Sequence, residues 1–303
     1  MHKYFMPAVI GLVAWMLAGS YFLACDDCNK SVVAPVTNTE RAIAPPPVVA
    51  KAKPSVFSIA DGSRFTTGSS EHYTFGRAGA DPNITDPTKA AFTKVADYMK
   101  NNPNRLLMLT GRYTSAEQAS YSGAAANLGI ARADAIKEFL VGKGADGSRI
   151  STTGFEEYNL TYNENDRLPE GVTFRFNGSD ELQALGERLK VEPLNAQFDS
   201  GSDNISLNST LKNYFADLKF YTDKVPGAKV SVTGHTDSDG SRSANVRLGK
   251  KRANLIKDFM IKQGINPSVI QQPTSLGPDS PIADNNTDEG KAANRRVEIR
   301  VIN

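Results

Sequence analysis

The apolar positions of residues 194–303 alternate between the spacing of helices and the spacing of strands. Two amphipathic helices are predicted, over 207–223 and about 243–263, because apolar residues recur there every three or four positions. Short strands are predicted at 194–198, 229–232, 269–276 and 297–301. The resulting order β-α-β-α-β-β implies a small mixed sheet with helices packed on one face, which is an α+β fold.

A related unit precedes this C-terminal one. Its strand end, Thr110-Gly111, corresponds to Thr233-Gly234, and a similar helix pattern follows each of them. Several residues recur at a nearly fixed distance: Leu128, Arg132 and Ile150 are found again 120 residues later, and Gly111 is found again 123 residues later. The chain is therefore predicted to carry a tandem duplication with a small loop insertion in the first copy.

This repeat divides the chain into segments. We name residues 55–178 the first module and residues 194–303 the second module, and we predict that residues 179–193 connect them. Both modules are expected to be small α+β sandwiches. Neither contains a cysteine, so neither depends on a disulfide.

The N-terminal segment decides the predicted compartment. Residues 4–24 are 21 consecutive residues without a charge, which is enough to cross a hydrocarbon core of about 30 Å. A lysine precedes this run and two aspartates follow it, an asymmetry that favours export of everything after it. We predict an uncleaved signal anchor over residues 1–24, which places both modules in the periplasm on the inner membrane.

Two alternatives to the uncleaved anchor stay open. Cys25 follows a loose match to a lipobox, and its lipidation would more often direct the chain to the outer membrane. Cleavage after Ala18-Gly19-Ser20 would also export the chain. Cys25 and Cys28 have the spacing of redox motifs, but no βαβ pattern surrounds them, which favours a juxtamembrane disulfide over catalysis. Residues 25–54 form a predicted proline-rich linker.

Composition excludes several classes of function. The 35 basic and 33 acidic residues nearly cancel, which argues against binding to nucleic acid. With three histidines and two cysteines in all, clustered zinc ligands are absent from the sequence, and we predict neither a metal nor a cofactor. The acidic stretch 235–239 also lacks the spacing of a calcium loop. No recognisable nucleophile–base arrangement occurs, so the protein is not predicted to be an enzyme.

The second module carries several separated motif blocks in a defined order. They are Thr233–Gly240, Asn245, Leu248, Arg252-Ala253, Pro281–Asn285, Glu289-Gly290 and Asn294–Glu298. Together they resemble the OmpA/MotB C-terminal family over residues 194–303. The resemblance implies an OmpA-like domain that binds the diaminopimelate stem peptide of peptidoglycan without covalent chemistry.

The resemblance also assigns site residues. The ligand-reading carboxylate falls on Asp237 and the ligand-reading guanidinium on Arg252. This chemistry suits diaminopimelate, which ends in an amine and a carboxylate on one carbon, because arginine can bind a carboxylate with two parallel hydrogen bonds. The remaining residues expected around this site are Thr236, Gly240, Asn245, Leu248, Arg295 and Arg296. Asp237 and Arg252 could alternatively form a structural ion pair, and His235 is expected to be structural.

The first module departs from the family pattern at the carboxylate position. Thr114 stands opposite Asp237, while Arg132 keeps the arginine position. We therefore predict that the first module retains the fold but not the diaminopimelate site, and that it is a spacer or a surface for a protein partner. Glu117, in the inserted loop, is the alternative source of the missing carboxylate.

The function that these observations favour is a non-catalytic tether between a membrane and the cell wall. Residues 4–24 would contact the membrane and the second module would bind the wall. A stator subunit like MotB is the main alternative, but such a protein needs a carboxylate in its membrane helix, and residues 4–24 contain none. A scaffold whose first module binds a protein partner is the other alternative.

Overall fold

The computed structural model describes residues 55–191, 194–202, 205 and 208–302. The predicted anchor, the linker and both cysteines lie outside these residues. Within the part of the chain that is described, no helix has both the length and the apolar character needed to cross a bilayer. Both modules belong to one compact unit.

The first module is a small α+β unit. Its elements are β1 (Phe57–Asp61), β2 (Phe65–Ser69), β3 (Thr74–Gly76), β4 (Pro82–Asn83), α1 (Asp86–Asn101), β5 (Arg105–Tyr113), α2 (Ser115–Ala119), α3 (Leu128–Gly142), β6 (Ile150–Glu156), β7 (Arg167–Pro169) and β8 (Val172–Gly178). The central sheet has the order β6-β5-β8, with β5 parallel to β6 and antiparallel to β8. Its core joins α1 and α3 to this sheet through buried apolar side chains such as Phe92, Ile136 and Leu107.

The second module repeats this plan with a larger sheet. The elements that follow β8 are α4 (Ser179–Val191), β9 (Leu194–Gln197), α5 (Ser209–Lys224), β10 (Lys229–His235), α6 (Arg242–Lys262), β11 (Thr274–Gly277), α7 (Asp288–Asn294) and β12 (Arg296–Ile302). The sheet order is β11-β10-β12-β9, in which only the pairing of β10 with β11 is parallel. The predicted α+β class, with helices on small mixed sheets, is confirmed.

Local sequence signals explain the ends of these helices. The side chains of Asn208 and Ser241 accept hydrogen bonds from the first turns of α5 and α6, as helix-capping residues do. Gly264, which the sequence places just after the long helix, has φ +84° and ends α6 in the left-handed conformation that favours glycine. The alternating valines of β10 are almost fully buried, so the strand pattern points into the core as expected.

A glycine pair holds helix and strand together in each module. A Cβ at Gly234 of β10 would lie 1.9 Å from the carbonyl oxygen of Gly249 on α6. In the first module, a Cβ at Gly111 would lie 1.9 Å from the carbonyl oxygen of Gly129 on α3. Because both obstacles are backbone atoms, only glycine permits this close approach. The approach places each helix directly against the strand that precedes it.

The predicted connector contains a helix that packs on the second module. Helix α4 covers most of residues 179–193, and Leu189 on it is fully buried in the core of the second module. Leu182 and Leu185 lie on the same stripe at helical spacing and pack against the same core. This stripe was present in the sequence but was not used to predict a helix.

Direct contacts join the two modules. Met108 on β5 is buried against Ala216 and Phe220 of α5, where Leu106, Leu182 and Leu185 also pack. Beside this cluster, Asp217 of α5 forms ion pairs with Arg175 of β8 and, at 2.6 Å, with Arg188 of α4. A second contact is the hydrogen bond from the Asn127 side chain to the Lys262 carbonyl at 2.8 Å.

Candidate functional site

The predicted site residue Asp237 lies in the loop between β10 and α6. Because β10 and β12 are antiparallel neighbours, the end of β10 lies beside the start of β12. This pairing brings the Asp237 carboxylate to Arg295, with 3.1 Å between Oδ2 and Nη1. The Asp237 side chain is 9% exposed and that of Arg295 is 16% exposed, so solvent reaches both groups of this pair.

The loop that carries Asp237 is held by hydrogen bonds from the following helix. Asn245, near the start of α6, donates from Nδ2 to the carbonyls of Asp237 at 3.4 Å and Asp239 at 2.9 Å. The Thr236 hydroxyl donates to the Asp237 carbonyl at 2.8 Å. Gly240 has φ +88°, which permits the turn before α6. Thus these three predicted site residues shape the loop.

Arg252 is the second residue that the family resemblance assigns to ligand binding. It lies about three turns into α6, is fully buried, and its guanidinium centre is 5.0 Å from the ring centroid of Phe198. Its guanidinium donates to three backbone carbonyls, those of Asp199 at 2.9 Å, Ser202 at 2.9 Å and His235 at 3.4 Å. The ion pair of Asp237 is instead with Arg295. Arg252 therefore fastens the segment after β9 to the end of β10, beneath the loop that carries Asp237.

The remaining predicted site residues, Leu248 and Arg296, differ in their burial. Leu248 is half-buried on α6. Arg296 is 2% exposed, and its Nη2 donates to the Ser280 carbonyl at 3.3 Å. Its Nε and Nη1 are buried and have no hydrogen-bond partner among the described residues. Burial lowers the pKa of Arg296. Arg296 thus lies behind the strand end, whereas Arg295 faces the site.

His235, at the end of β10, is buried next to this arginine. Both of its ring nitrogens lack a hydrogen-bond partner within the described part of the chain. Burial, and then the positive charge of Arg296, lower the pKa of His235 to about 4. The imidazole is therefore neutral near pH 7.

Two residues of α7, Lys291 and Asn294, make contacts near the site, although neither is among the predicted site residues. Asn294 is fully buried, and its Oδ1 accepts hydrogen bonds from the backbone of Ile282 at 2.7 Å and Ala283 at 3.1 Å. Lys291 pairs with Asp239 at 3.0 Å, and this hydrogen bond raises the pKa of Lys291. The block Asn294–Glu298 marked the region, but the pairing of Lys291 with Asp239 depends on contacts that the sequence does not display.

The first module contains the carboxylate that was predicted to be missing. Glu117 on α2 pairs with Arg132 on α3, with 2.6 Å between Oε1 and Nη2. Both residues are buried, at 2% and 0% exposure. The prediction of only half a charge pair is therefore wrong, and the alternative carboxylate Glu117 supplies the other half. Thr114, which stands opposite Asp237, instead caps the short helix that carries Glu117.

Known proteins are similar in sequence to parts of this chain. The chain is 41% identical over 107 residues to the probable lipoprotein YiaD of Escherichia coli (strain K12), a match that covers 35% of this chain and 48% of YiaD. The chain thus spans about half the length of this relative. It is 28% identical over 171 residues to the peptidoglycan-associated lipoprotein of Pseudomonas aeruginosa, covering 56% of this chain and 93% of that protein.

A comparison of structures finds the C-terminal domain of Helicobacter pylori MotB. The TM-score is 0.32 at 28% sequence identity, over 36% of this chain and 84% of that one. The family model described as the OmpA family matches residues 79–168 and 197–295. These two segments make up more than half of the sequence, and they show that the chain belongs to the OmpA family.

Proposed function

We propose that the second module binds peptidoglycan without catalysing a reaction, and that Asp237 and Arg295 form the centre of its site. The observation that carries this proposal is the partly exposed Asp237–Arg295 ion pair at the adjoining ends of β10 and β12. Membership of the OmpA family supports the choice of polymer, and one relative is named a peptidoglycan-associated lipoprotein.

The chemistry of this pair suits the diaminopimelate end of a stem peptide. Diaminopimelate presents an ammonium and a carboxylate on one carbon. Asp237 would accept the ammonium, and Arg295 would bind the carboxylate through two parallel donors. Binding would then replace the ion pair between Asp237 and Arg295 by two ion pairs, one between each of these residues and the ligand. Arg252 would contribute by holding the end of β10 in place, through its hydrogen bond to the His235 carbonyl.

A pull-down of the full chain on diaminopimelate-type sacculi tests this site. We expect Asp237→Asn to reduce retention by roughly 10–100-fold, because a hydrogen bond to a charged group is worth about 1.5–3 kcal/mol. Arg295→Lys should also weaken retention, because lysine keeps the charge but lacks the planar pair of donors. The control is Asp86→Asn, whose side chain is 91% exposed in the first module. Retention of Asp237→Asn equal to that of the control would refute the site.

We further propose that this binding tethers a membrane to the wall, with residues 4–24 as the membrane segment and both modules in the periplasm. An inner-membrane anchor is favoured by the length of the uncharged run, and lipidation at Cys25 with an outer-membrane location is the alternative. Mass spectrometry of the N-terminal peptide separates an intact Met1 from an acylated Cys25. Recovery of a peptide that begins at Tyr21 would contradict both forms of anchor.

A further inference from the structure

Each module contains a buried arginine that donates to three backbone carbonyls, and the two sets of carbonyls occupy equivalent positions. In the second module, Arg252 donates to Asp199, Ser202 and His235. The carbonyls that Arg132 contacts in the first module are those of Gly76 at 3.2 Å, Gly79 at 2.9 Å and Arg112 at 2.6 Å, each 123 positions earlier than its counterpart. Phe75 and Phe198, also 123 positions apart, lie against the two guanidinium groups. Arg132 is therefore the structural counterpart of Arg252.

In the first module this arginine has a carboxylate from its own chain. Glu117 presents Oε1 to Arg132 Nη2 at 2.6 Å, and the same oxygen accepts from the Ala78 backbone at 3.2 Å. Oε2 accepts from the Thr114 backbone at 3.0 Å and lies 3.5 Å from Arg132 Nη1. Both oxygens of the carboxylate are thus engaged. The Glu117 side chain is 1% exposed, so no external ligand reaches the guanidinium past it.

Local sequence explains why Glu117 points inward. Thr114 and Glu117 form a capping box, in which each side chain accepts a hydrogen bond from the backbone of the other. This arrangement fixes the first turn of α2 and directs the carboxylate toward α3. The aligned positions in the second module are Asp237 and Gly240, and Gly240 has no side chain to fill the equivalent space.

A second set of contacts covers this ion pair. Arg77 stacks over the ring of Tyr162, with 3.9 Å from its guanidinium centre to the ring centroid. The same arginine forms a two-pronged ion pair with Asp166, with Nε 2.9 Å from Oδ2. Burial, and then the neighbouring Glu117 carboxylate, raise the pKa of Tyr162 to about 12. Arg77, which directly follows β3, thus contacts both Tyr162 and Asp166.

The charge of Glu117 is consistent with this arrangement. Burial by itself would raise the pKa of Glu117, but the hydrogen bonds from Arg132 and the Thr114 backbone outweigh burial and lower it. The carboxylate is therefore ionised at neutral pH and neutralises an arginine that would otherwise be buried without an anion.

We propose that the first module carries an internally occupied carboxylate site, in which the Glu117 carboxylate fills a carboxylate-binding position at the Arg132 guanidinium. The module is closed to external ligands while Glu117 is present. Removal of the Glu117 side chain opens a site for a small carboxylate, for which acetate is the simplest probe. This inference concerns the first module alone and does not rest on the proposed binding of peptidoglycan by the second.

Carboxylate rescue of the full chain tests the proposal. We expect Glu117→Ala to lower Tm, and sodium acetate to restore it in part, whereas sodium chloride at equal ionic strength does not. At ten times its dissociation constant, acetate should raise Tm by roughly 3–6 °C. Wild type should show no difference between the two salts, because its site is filled. The matched control is Glu157→Ala, a partly exposed glutamate 3.9 Å from Arg112.

A second variant separates loss of charge from loss of volume. Glu117→Gln keeps the shape of the side chain, so it should be less stable than wild type and should show no response to acetate. If Glu117→Ala does not fold in chloride, its refolding yield against acetate concentration replaces Tm as the measurement. The proposal is overturned if acetate and chloride act equally on Glu117→Ala, or if acetate stabilises wild type to the same extent.

Discussion

At the scale of single residues, the two buried arginines show how a family motif can serve the fold. Arg132 and Arg252 each tie an early loop of their module to the end of a central strand through backbone carbonyls. A buried guanidinium needs several acceptors, and these carbonyls supply them. Asp237 and Arg252 of the motif therefore lie in separate contacts, because Asp237 pairs with Arg295 whereas Arg252 donates to backbone carbonyls.

His235 leads to a prediction about pH. Its folded-state pKa of about 4 is below the ordinary value of 6.5, so the folded protein resists its protonation. The neutral His235 therefore does not reduce the free energy of unfolding above pH 6.5. As the pH falls from 6.5 toward 4, the free energy of unfolding decreases, because His235 binds a proton in the unfolded chain but not in the folded protein. We expect the free energy of unfolding to decrease by up to about 1.4 kcal/mol per pH unit in this window from His235 alone.

The variant His235→Gln isolates this contribution. Carboxylates that titrate in the same window are shared by both proteins, so they cancel in the difference between wild type and variant. Urea denaturation at several pH values between 7 and 4 should give a shallower loss of stability for the variant. Parallel curves would show that the histidine is protonated equally well in the folded state.

At the scale of elements, helix α4 shows that the segment between the modules contributes to the second core. Leu189 is fully buried there, and a Cβ at Gly186 would lie 2.4 Å from the ring of Tyr221, so α4 packs closely on α5. A segment of this kind is part of the domain that it covers. We therefore expect α4 to contribute to the stability of the second module, although it precedes the predicted boundary at residue 194.

This packing gives a prediction for Leu189→Ala. The substitution removes buried apolar atoms and leaves a cavity, so we expect it to lower the free energy of unfolding by about 2–5 kcal/mol. Glu187→Ala on the same helix is the control, because its side chain is 65% exposed and should matter little. Urea denaturation of the full chain measures both. Equal stability of the two variants would mean that α4 is only a connector.

At the scale of the whole molecule, the two modules share buried surface. Phe220 on α5 is 1% exposed, and it packs against Met108 of the first module. The ion pairs of Asp217 with Arg175 and Arg188 border this contact. We expect this apolar contact, flanked by paired charges, to couple the stability of the two modules.

This coupling predicts the effect of Phe220→Ala. We expect the variant to lose about 3–5 kcal/mol of stability and to unfold in two calorimetric transitions, whereas wild type unfolds in one. Ile282→Ala is the control, because this large apolar side chain is 59% exposed. A single transition in Phe220→Ala, with the same ratio of calorimetric to van't Hoff enthalpy as in wild type, would show that the contact does not couple the modules.

The sequence by itself determined the α+β class, most strands and helices of the second module, and the family. These features depend on local periodicity, on glycine and capping residues, and on motifs whose members lie close together in the chain. Gly264 is an example, because a helix end needs only the residues beside it. The packing of α4 on the second module could not be predicted in this way, because its leucine stripe does not show which surface it contacts.

The tertiary structure decided which charged groups meet. Asp237 and Arg295 are 58 residues apart and come together because β10 pairs with β12. Glu117 and Arg132 meet because α2 turns back onto α3, which no periodicity in the sequence reveals. Partner choice among buried charges depends on distances of a few ångströms, and those distances are set only when elements distant in the chain have packed.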